Sequence, residues 1–599
     1  MYTDRRIAEN MKELIFLEPV VKKLIWGKEY WTVSAHESGD CLVKGGTFDG
    51  MHLSEVWRDH KEVFGVETEG EFPFIVKVID ARDPLSIQVH PDDEYANENE
   101  NGAPGKTECW YVMDCDRDGS IIIGHNAKSR KEAEEMIAEN RWDDFLREIP
   151  VKKGDFYQIT PGTVHAIKQN TMIMEIQKNS DVTYRLYDYN RVRDGVARQL
   201  HVDKSLDVMM IPHKDADCYT NKVPGKLVSC RYYDVDRYDI SGVRDFEKRD
   251  SFMIISVLDG EGGIDGRKIK AGESFIVSGG YGDFSIFGRL SIMVTRLPEL
   301  YGGLEAGGTK MVCALGYADG TIIDQISFPT ATPDESIPKI IDYFKGKDIS
   351  ALGIGSFGPV DVDPDSETYG TILDSPKLPW QHYPIKKVLE EALHVPIKID
   401  SDVNGSCLGE MTFGCAKDLD NVGYVTVGTG IGAGMAVNGQ LVHGMGHPEF
   451  GHILVSKLPG DDYSGKCPFH PTCFESLASG PAIEGRWGKK AADLSDRCEV
   501  WEMEADYIAQ GLMAMVLTIS PRKIILGGGV MHQLQLFPMI RKKLSEKLAG
   551  YIHTKELDDM DEYVVPASLS DDQGIMGAVQ LGVLAGIESK ANPVKAYYG

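Results

Sequence analysis

Up to residue 297, apolar positions come in short runs separated by Gly, Pro and Asp, such as PFIVKVI at 73–79, SIIIG at 120–124 and SFMIISV at 251–257. That rhythm predicts short strands closing into an all-β barrel or sandwich. One stretch departs from it: residues 129–146 open on a capping serine, Ser129, and carry apolar residues at helical intervals, which predicts a helix. From Gly302 the spacing changes, and strands alternate with longer amphipathic segments such as 336–344 and 505–517, an α/β signature. The change falls at 297–300 (LPEL), where no Ser/Gly-rich linker intervenes. A multidomain chain is therefore expected, with units 1–297 and 300–599 joined by a few residues and lying close together. Within the second unit a strand followed by a glycine turn occurs twice, EAGGTK at 305–310 and GTGIG at 428–432. This weak internal repeat is what a two-lobed phosphate clamp requires.

Length agrees with that division, since 599 residues exceed what one hydrophobic core usually supports. A formal charge of -28 argues against a nucleic-acid partner, because neutralising phosphates takes clustered Lys and Arg. The first nineteen residues scatter charges through MYTDRRIAENMKELIFLEP, so neither a signal peptide nor a membrane span is expected there, and the cytoplasm is the expected location. Eleven cysteines spread over the chain suit a reducing compartment. Cys41, Cys109, Cys115, Cys218, Cys230, Cys313, Cys407, Cys415 and Cys498 read as buried small hydrophobes or inert surface thiols. Cys467 and Cys473 are different, because they form a cluster with histidines.

Gln88 and His90 are two apart in LSIQVHP at 85–91, which on a strand puts both side chains on one face. With Glu108 and His165 they make a donor set suited to Zn²⁺ with a position left open. The surrounding text, FIVKVID at 74–80, SIQVHPDD at 86–93, GKTECW at 105–110, PGTVHA at 161–166 and EIQKNSDVTYRLYDY at 175–189, resembles type I mannose-6-phosphate isomerases in their short bacterial form. The resemblance spans nearly the whole first half and implies a cupin fold. It implies that Gln88, His90, Glu108 and His165 bind a catalytic zinc. It further implies that Ser86, Lys106, Glu175, Arg185 and Arg191 line the substrate pocket. Aldose–ketose interconversion moves a proton between C1 and C2 through an enediolate, and a metal with a nearby guanidinium, Arg185, suits the oxyanion. Arg191 and Ser86 suit the phosphate. Lys106 and Glu175 are both candidates for the general base, and spacing does not choose between them. A non-enzymatic cupin binding module would not need the Lys106 and Arg185 neighbourhoods.

In the second half Gly307, Gly308 and Thr309, and again Gly428, Thr429, Gly430 and Gly432, allow backbone N–H groups to approach phosphate closely. The segments GLEAGGTK at 303–310, GIGSFGPVD at 353–361, DSDVNG at 400–405, VGTGIG at 427–432, HPEFGH at 447–452, SGPA at 479–482 and ILGGGV at 525–530 resemble ROK-family sugar kinases, most closely the zinc-containing bacterial fructokinases. The resemblance covers residues 302–586 and implies an actin-like, two-lobed ribonuclease H fold. It implies Asp402 as general base and Asn404 and Glu449 as sugar ligands. Gly307, Gly308, Thr309, Lys310, Gly428 and Thr429 would cradle phosphates, and Gly527, Gly528 and Gly529 would pass the nucleotide. Phosphoryl transfer from ATP implies Mg²⁺ as well. Position 305 carries Glu where many ROK kinases have Asp, which leaves open how Mg²⁺ and phosphates are met there. His452, Cys467, His470 and Cys473 supply a full tetrahedral set, the arrangement of a structural zinc. The ROK family also contains transcriptional repressors, but these carry a helical DNA-binding region where this chain has β structure. Fructose, mannose and glucose cannot be told apart from these motifs. The implied partners are sugars, sugar phosphates and ATP, and a homodimer is allowed.

Overall fold

A computed structural model describes residues 12–66, 70–193, 196–215, 225–247 and 249–591; Cys218 and the first eleven residues lie outside them. The chain divides into two compact units, Met1–Pro298 and Glu299–Gly599.

In the first unit, a six-stranded antiparallel sheet runs Phe156–Ile159, Glu108–Cys115, Thr171–Lys178, Phe74–Ala81, Gly27–Val33, Val20–Leu24. A five-stranded sheet runs Leu146–Pro150, Ser120–His125, His165–Ile167, Ile87–Val89, Tyr184–Tyr187. Strand alternation decides what each face carries. Ile121 and Ile123 turn toward Ile79, Trp110, Val112 and Ile173 of the larger sheet, while Ile122, Ile87 and Val89 turn the other way, onto Met136, Ile137, Phe145 and Leu206. Gln88, between Ile87 and Val89, is thereby directed into the space between the sheets. On the larger sheet the same rule sends Lys77, Glu108 and Glu175 inward with Ile79, Trp110 and Ile173, and sends Val76, Cys109 and Ile176 outward to a second core rich in aromatic residues.

That second core joins the six-stranded sheet to an eight-stranded one built largely from Lys226–Ser229, Asp234–Phe246, Phe284–Arg296, Met253–Ile264 and Ser274–Val277. Leu14–Glu18 completes it by pairing with Ser274–Val277, so the start of the unit closes on its end. These strands are longer than the short-strand expectation, two of them reaching 13 residues. The helix expected over 129–146 is two helices, Arg130–Ala138 capped by Ser129 and Trp142–Phe145. Asn140 takes a left-handed conformation (φ 55°) between them, one that Asn tolerates better than most residues, and this breaks the run.

In the second unit one sheet runs Ile322–Pro329, Lys310–Gly316, Tyr301–Ala306, Ala351–Ser356, Ile397–Ser401. The other runs Gln440–Leu441, Ile431–Val437, Val422–Val427, Lys523–Gly527, Val564–Pro566. In both, the first three strands of the chain are antiparallel and the last two run parallel to the first. The weak repeat in the sequence is thus one topology used twice. Helices Asp402–Thr412 and Gln573–Ala591 cross where a Cβ on Gly577 would fall 1.8 Å from the Gly405 carbonyl oxygen, so only glycine permits that approach. The helices expected at 336–344 and 505–517 are longer, Pro333–Phe344 and Cys498–Ile519. Among the described residues no helix is long and apolar enough to cross a membrane.

Candidate functional sites

In the first unit, His165 pairs directly with Gln88 across adjacent strands, and Gln177 with Glu108. His90 Nδ1 meets the Val182 carbonyl at 2.9 Å and His165 Nδ1 meets the Thr163 carbonyl at 2.8 Å. A carbonyl only accepts, so both rings carry their proton on Nδ1 and present an Nε2 lone pair. Those lone pairs face one carboxylate: His90 Nε2 lies 3.6 Å from Glu108 Oε2 and His165 Nε2 3.5 Å from Glu108 Oε1. All three side chains are buried, and His90 Nε2 has no hydrogen-bond partner. Lone pairs opposed to a carboxylate in a dry site repel unless a cation lies between them. An imidazole nitrogen and a carboxylate oxygen sharing a tetrahedral zinc stand roughly 3.4 Å apart. The donor set therefore fits a divalent ion. Gln88 Nε2 approaches His165 Nε2 at 3.2 Å; turning the amide over would present Oε1 instead.

Lys106 Nζ stands 2.8 Å from Glu108 Oε2 and 3.8 Å from Glu175 Oε1, and Lys77 Nζ 3.1 Å from the same Glu175 oxygen. Burial works against the Lys106 charge, but the two carboxylates outweigh it and hold its pKa above the usual lysine range. Burial holds His90 and His165 below the ordinary histidine value. Lys77, in FIVKVID, is an addition to the expected set; a lysine in an otherwise apolar strand was its signal. Arg185 is the cross-strand partner of Gln88; one guanidinium nitrogen donates to the Gln199 carbonyl at 2.9 Å, and its Nε is buried without a partner. Arg191 is less free than expected, because its guanidinium donates to the Pro84 carbonyl at 2.6 Å and to Asp188. Arg198 binds the same Asp188 at 2.7 Å, a clamp that nothing in the spacing announced. Ser86 is buried at the head of the Gln88 strand.

In the second unit, Gly307, Gly308 and Thr309 make the turn between Tyr301–Ala306 and Lys310–Gly316, with Lys310 exposed beside them. Gly428, Thr429 and Gly430 make the equivalent turn in the other sheet, where the Gly480 N–H donates to the Gly428 carbonyl at 2.8 Å. Gly527, Gly528 and Gly529 follow the next parallel strand; Gly528 has φ 89°, and a Cβ there would lie 2.6 Å from Thr426 Oγ1. Asp402 opens the helix Asp402–Thr412, capped by Ser401, at the end of the first sheet's edge strand. Burial, then the charges of Glu305 and Glu449, push its carboxyl up to about 7. Asn404, fully buried, donates to Asp400 at 2.8 Å. Glu449 is exposed, 3.8 Å from His447 Nδ1. Asp400 lies inside the quoted DSDVNG segment; His443, which it also holds, had no signal in the sequence.

His452, Cys467, His470 and Cys473 converge, their ligand atoms all within 4.8 Å of one another. His452 Nδ1 lies 3.8 Å from Cys467 Sγ and 3.7 Å from Cys473 Sγ. A nitrogen and a sulfur on one tetrahedral zinc stand roughly 3.6 Å apart, so this set also fits the metal. His452 closes the single turn Phe450–His452 that begins at Glu449. Cys473 caps the short helix Phe474–Ala478, whose Glu475 accepts from the Ile431 N–H at 2.9 Å beside the second glycine turn.

Comparison with known proteins assigns each half of the chain to a family. Residues 11–112 match the catalytic domain of type I phosphomannose isomerase, 225–297 the cupin domain of mannose-6-phosphate isomerase, and 301–583 the ROK family. Mannose-6-phosphate isomerase ManA of Bacillus subtilis is 38% identical over 315 residues, covering 48% of this chain and 99% of its own. A fructokinase of Pediococcus pentosaceus is 43% identical over 286 residues, covering 48% of this chain and 98% of its own. Among solved structures, the mannose 6-phosphate isomerase of Bacillus subtilis shares 38% identity and covers 48% of this chain, with a TM-score of 0.46 over the whole. The expected fold classes hold, a mostly β cupin half and an α/β actin-like half. The chain belongs to two families at once, carrying a type I phosphomannose isomerase part followed by a ROK sugar kinase part.

Proposed function

We propose that the first unit interconverts mannose 6-phosphate and fructose 6-phosphate with zinc, and that the second phosphorylates fructose at O6 with ATP. For the isomerase, the carrying observation is the pair of imidazole lone pairs facing Glu108 in a dry site. Zinc held by Gln88, His90, Glu108 and His165 would supply Lewis-acid stabilisation for the oxyanion. The unpartnered Arg185 Nε supports a second, cationic contribution to that charge. Lys106 and Glu175, with Nζ and Oε1 3.8 Å apart, are the two candidates for moving the proton between C1 and C2, Lys106 as a donor because its ammonium is held charged. Arg191 and Ser86 stand for the phosphate, with Arg198 added through the shared Asp188.

For the kinase, the carrying observation is that Asp402 opens a helix at the end of a sheet strand close to Glu305 and Glu449, where burial and their charge push its carboxyl up to about 7. Its carboxylate takes the proton of the sugar hydroxyl as that oxygen attacks the γ-phosphoryl group and ADP leaves. Mg²⁺ accompanies the nucleotide. Fructose is preferred over mannose and glucose because the matching relatives are named fructokinases. The second zinc, on His452, Cys467, His470 and Cys473, braces the Glu449 turn and does no chemistry.

The kinase's expected product is also the isomerase's ketose substrate, so the whole chain should turn fructose and ATP into mannose 6-phosphate. Incubation with fructose, ATP, Mg²⁺ and Zn²⁺ tests this, and product should require both His90 and Asp402. A mixture of the two single variants should restore it by ordinary release and rebinding. No mannose 6-phosphate from the parent sinks the two-step reading, and failure of the mixture alone argues for direct transfer. Parallel assays with fructose, mannose and glucose decide the sugar.

A further inference from the structure

The chemistry around Asn404 depends on a contact between the two sheets of the second unit. Asp400 lies on Ile397–Ser401 of the first sheet, and His443 follows Gln440–Leu441 of the second. His443 Nε2 meets Asp400 Oδ2 at 2.8 Å. The other oxygen, Oδ1, accepts from Asn404 Nδ2 at 2.8 Å and from the Ser401 N–H at 2.7 Å. Asp400 is 3% exposed and Asn404 not at all. A carboxylate in these contacts only accepts, so the Asn404 amide must turn its NH₂ group toward Asp400. Its Oδ1 then points the opposite way, where it is buried without a hydrogen-bond partner. A buried acceptor left unmet by the protein calls for a donor, and a ligand hydroxyl is one that would supply it. The same loop supplies a matching donor: His447 Nε2 accepts from the Val360 N–H at 3.2 Å, which leaves the proton on Nδ1, buried without a hydrogen bond and 3.8 Å from Glu449 Oε1.

We propose that Asp400 and His443 are positioning residues for sugar recognition: the carboxylate orients Asn404 so that Oδ1 accepts a substrate hydroxyl, and His443 keeps the carboxylate in place by occupying its second oxygen. The proposal rests on the sugar-kinase reading of this unit and adds to it the group that fixes which way Asn404 faces. It assigns Asn404 Oδ1 an acceptor's role, so the hydroxyl which that oxygen reads must donate. An interlobe tie that merely stabilised the fold would affect sugar and nucleotide alike, whereas a positioning pair acts on the sugar through Asn404.

Initial-rate kinase assays on the full chain separate these. The parent is measured first with fructose, mannose and glucose; no turnover with any of them overturns the sugar-kinase reading, and the positioning role with it. With an active parent, His443→Ala should raise the sugar KM about tenfold while kcat and the ATP KM stay within about twofold. His443→Gln, whose amide can reach the same carboxylate, should recover most of that loss. In an Asn404→Ala background, His443→Ala should change the sugar KM by less than about twofold, because the residue it acts through is gone. Effects that multiply across the two variants, or a parallel rise in both KM values, overturn the positioning role and leave the kinase reading standing.

Discussion

At the scale of single residues, the kinase site turns on the electrostatics of one carboxyl. Asp402 is part-buried, and burial together with the like charges of Glu305 and Glu449 pushes it up to about 7. A general base works only in its ionised form, so the sugar kcat/KM should climb as pH rises from about 5.5 to about 8.5, with its half-rise near the carboxyl's own value. The sign follows from the direction of the shift: below about 7 the folded protein holds the proton on Asp402, and above it the carboxylate is free. Asp402→Asn should lower turnover by roughly 10²- to 10⁴-fold with both substrates still bound. A near-normal turnover in the variant, or a flat profile through that range in the parent, would remove Asp402 from the role.

At the scale of elements, the cluster His452, Cys467, His470, Cys473 joins two short elements that also pack into the core of the unit through Phe450, Phe474 and Leu477. The turn Phe450–His452 is three residues long and the helix Phe474–Ala478 five, both too short to be stable alone. One side of the cluster adjoins Glu449, and the other reaches the second glycine turn through Glu475 and Ile431. Metal held there contributes folding free energy directly, so Cys467→Ser should lose about one zinc per chain and lower the melting temperature of the kinase unit by several degrees. Equal zinc in variant and parent, measured on the purified proteins, would discard the site.

At the scale of the whole molecule, two units with separate cores share one polypeptide. All four proposed ligands of the first zinc lie in the first unit, so His90→Ala should abolish isomerase activity and spare the kinase; parallel loss of both in well-folded protein would count against separable units. Much of this was written in the sequence. The short apolar runs punctuated by Gly, Pro and Asp before residue 297 and the β–α alternation after it pointed to the two architectures, because run length and turn residues are local properties of the chain. Gln88 and His90 were legible from their spacing of two in an extended stretch, and Asp402 and Asn404 from the resemblance of their segment to ROK kinases. What spacing could not supply was anything that depends on which strands lie side by side. Lys77 faces Glu175 only because Phe74–Ala81 pairs with Thr171–Lys178. Arg198 reaches Asp188, and His443 reaches Asp400, across stretches of chain whose closure no local pattern encodes. The break of the expected helix at Asn140, by contrast, is local: Asn takes the left-handed turn that ends a helix, and the Arg141 N–H closes back on the Met136 carbonyl at 2.9 Å. Sequence by itself determined the elements and the chemistry each one carries; tertiary structure decided which charges oppose which, because that depends on long-range contacts formed only when the sheets close.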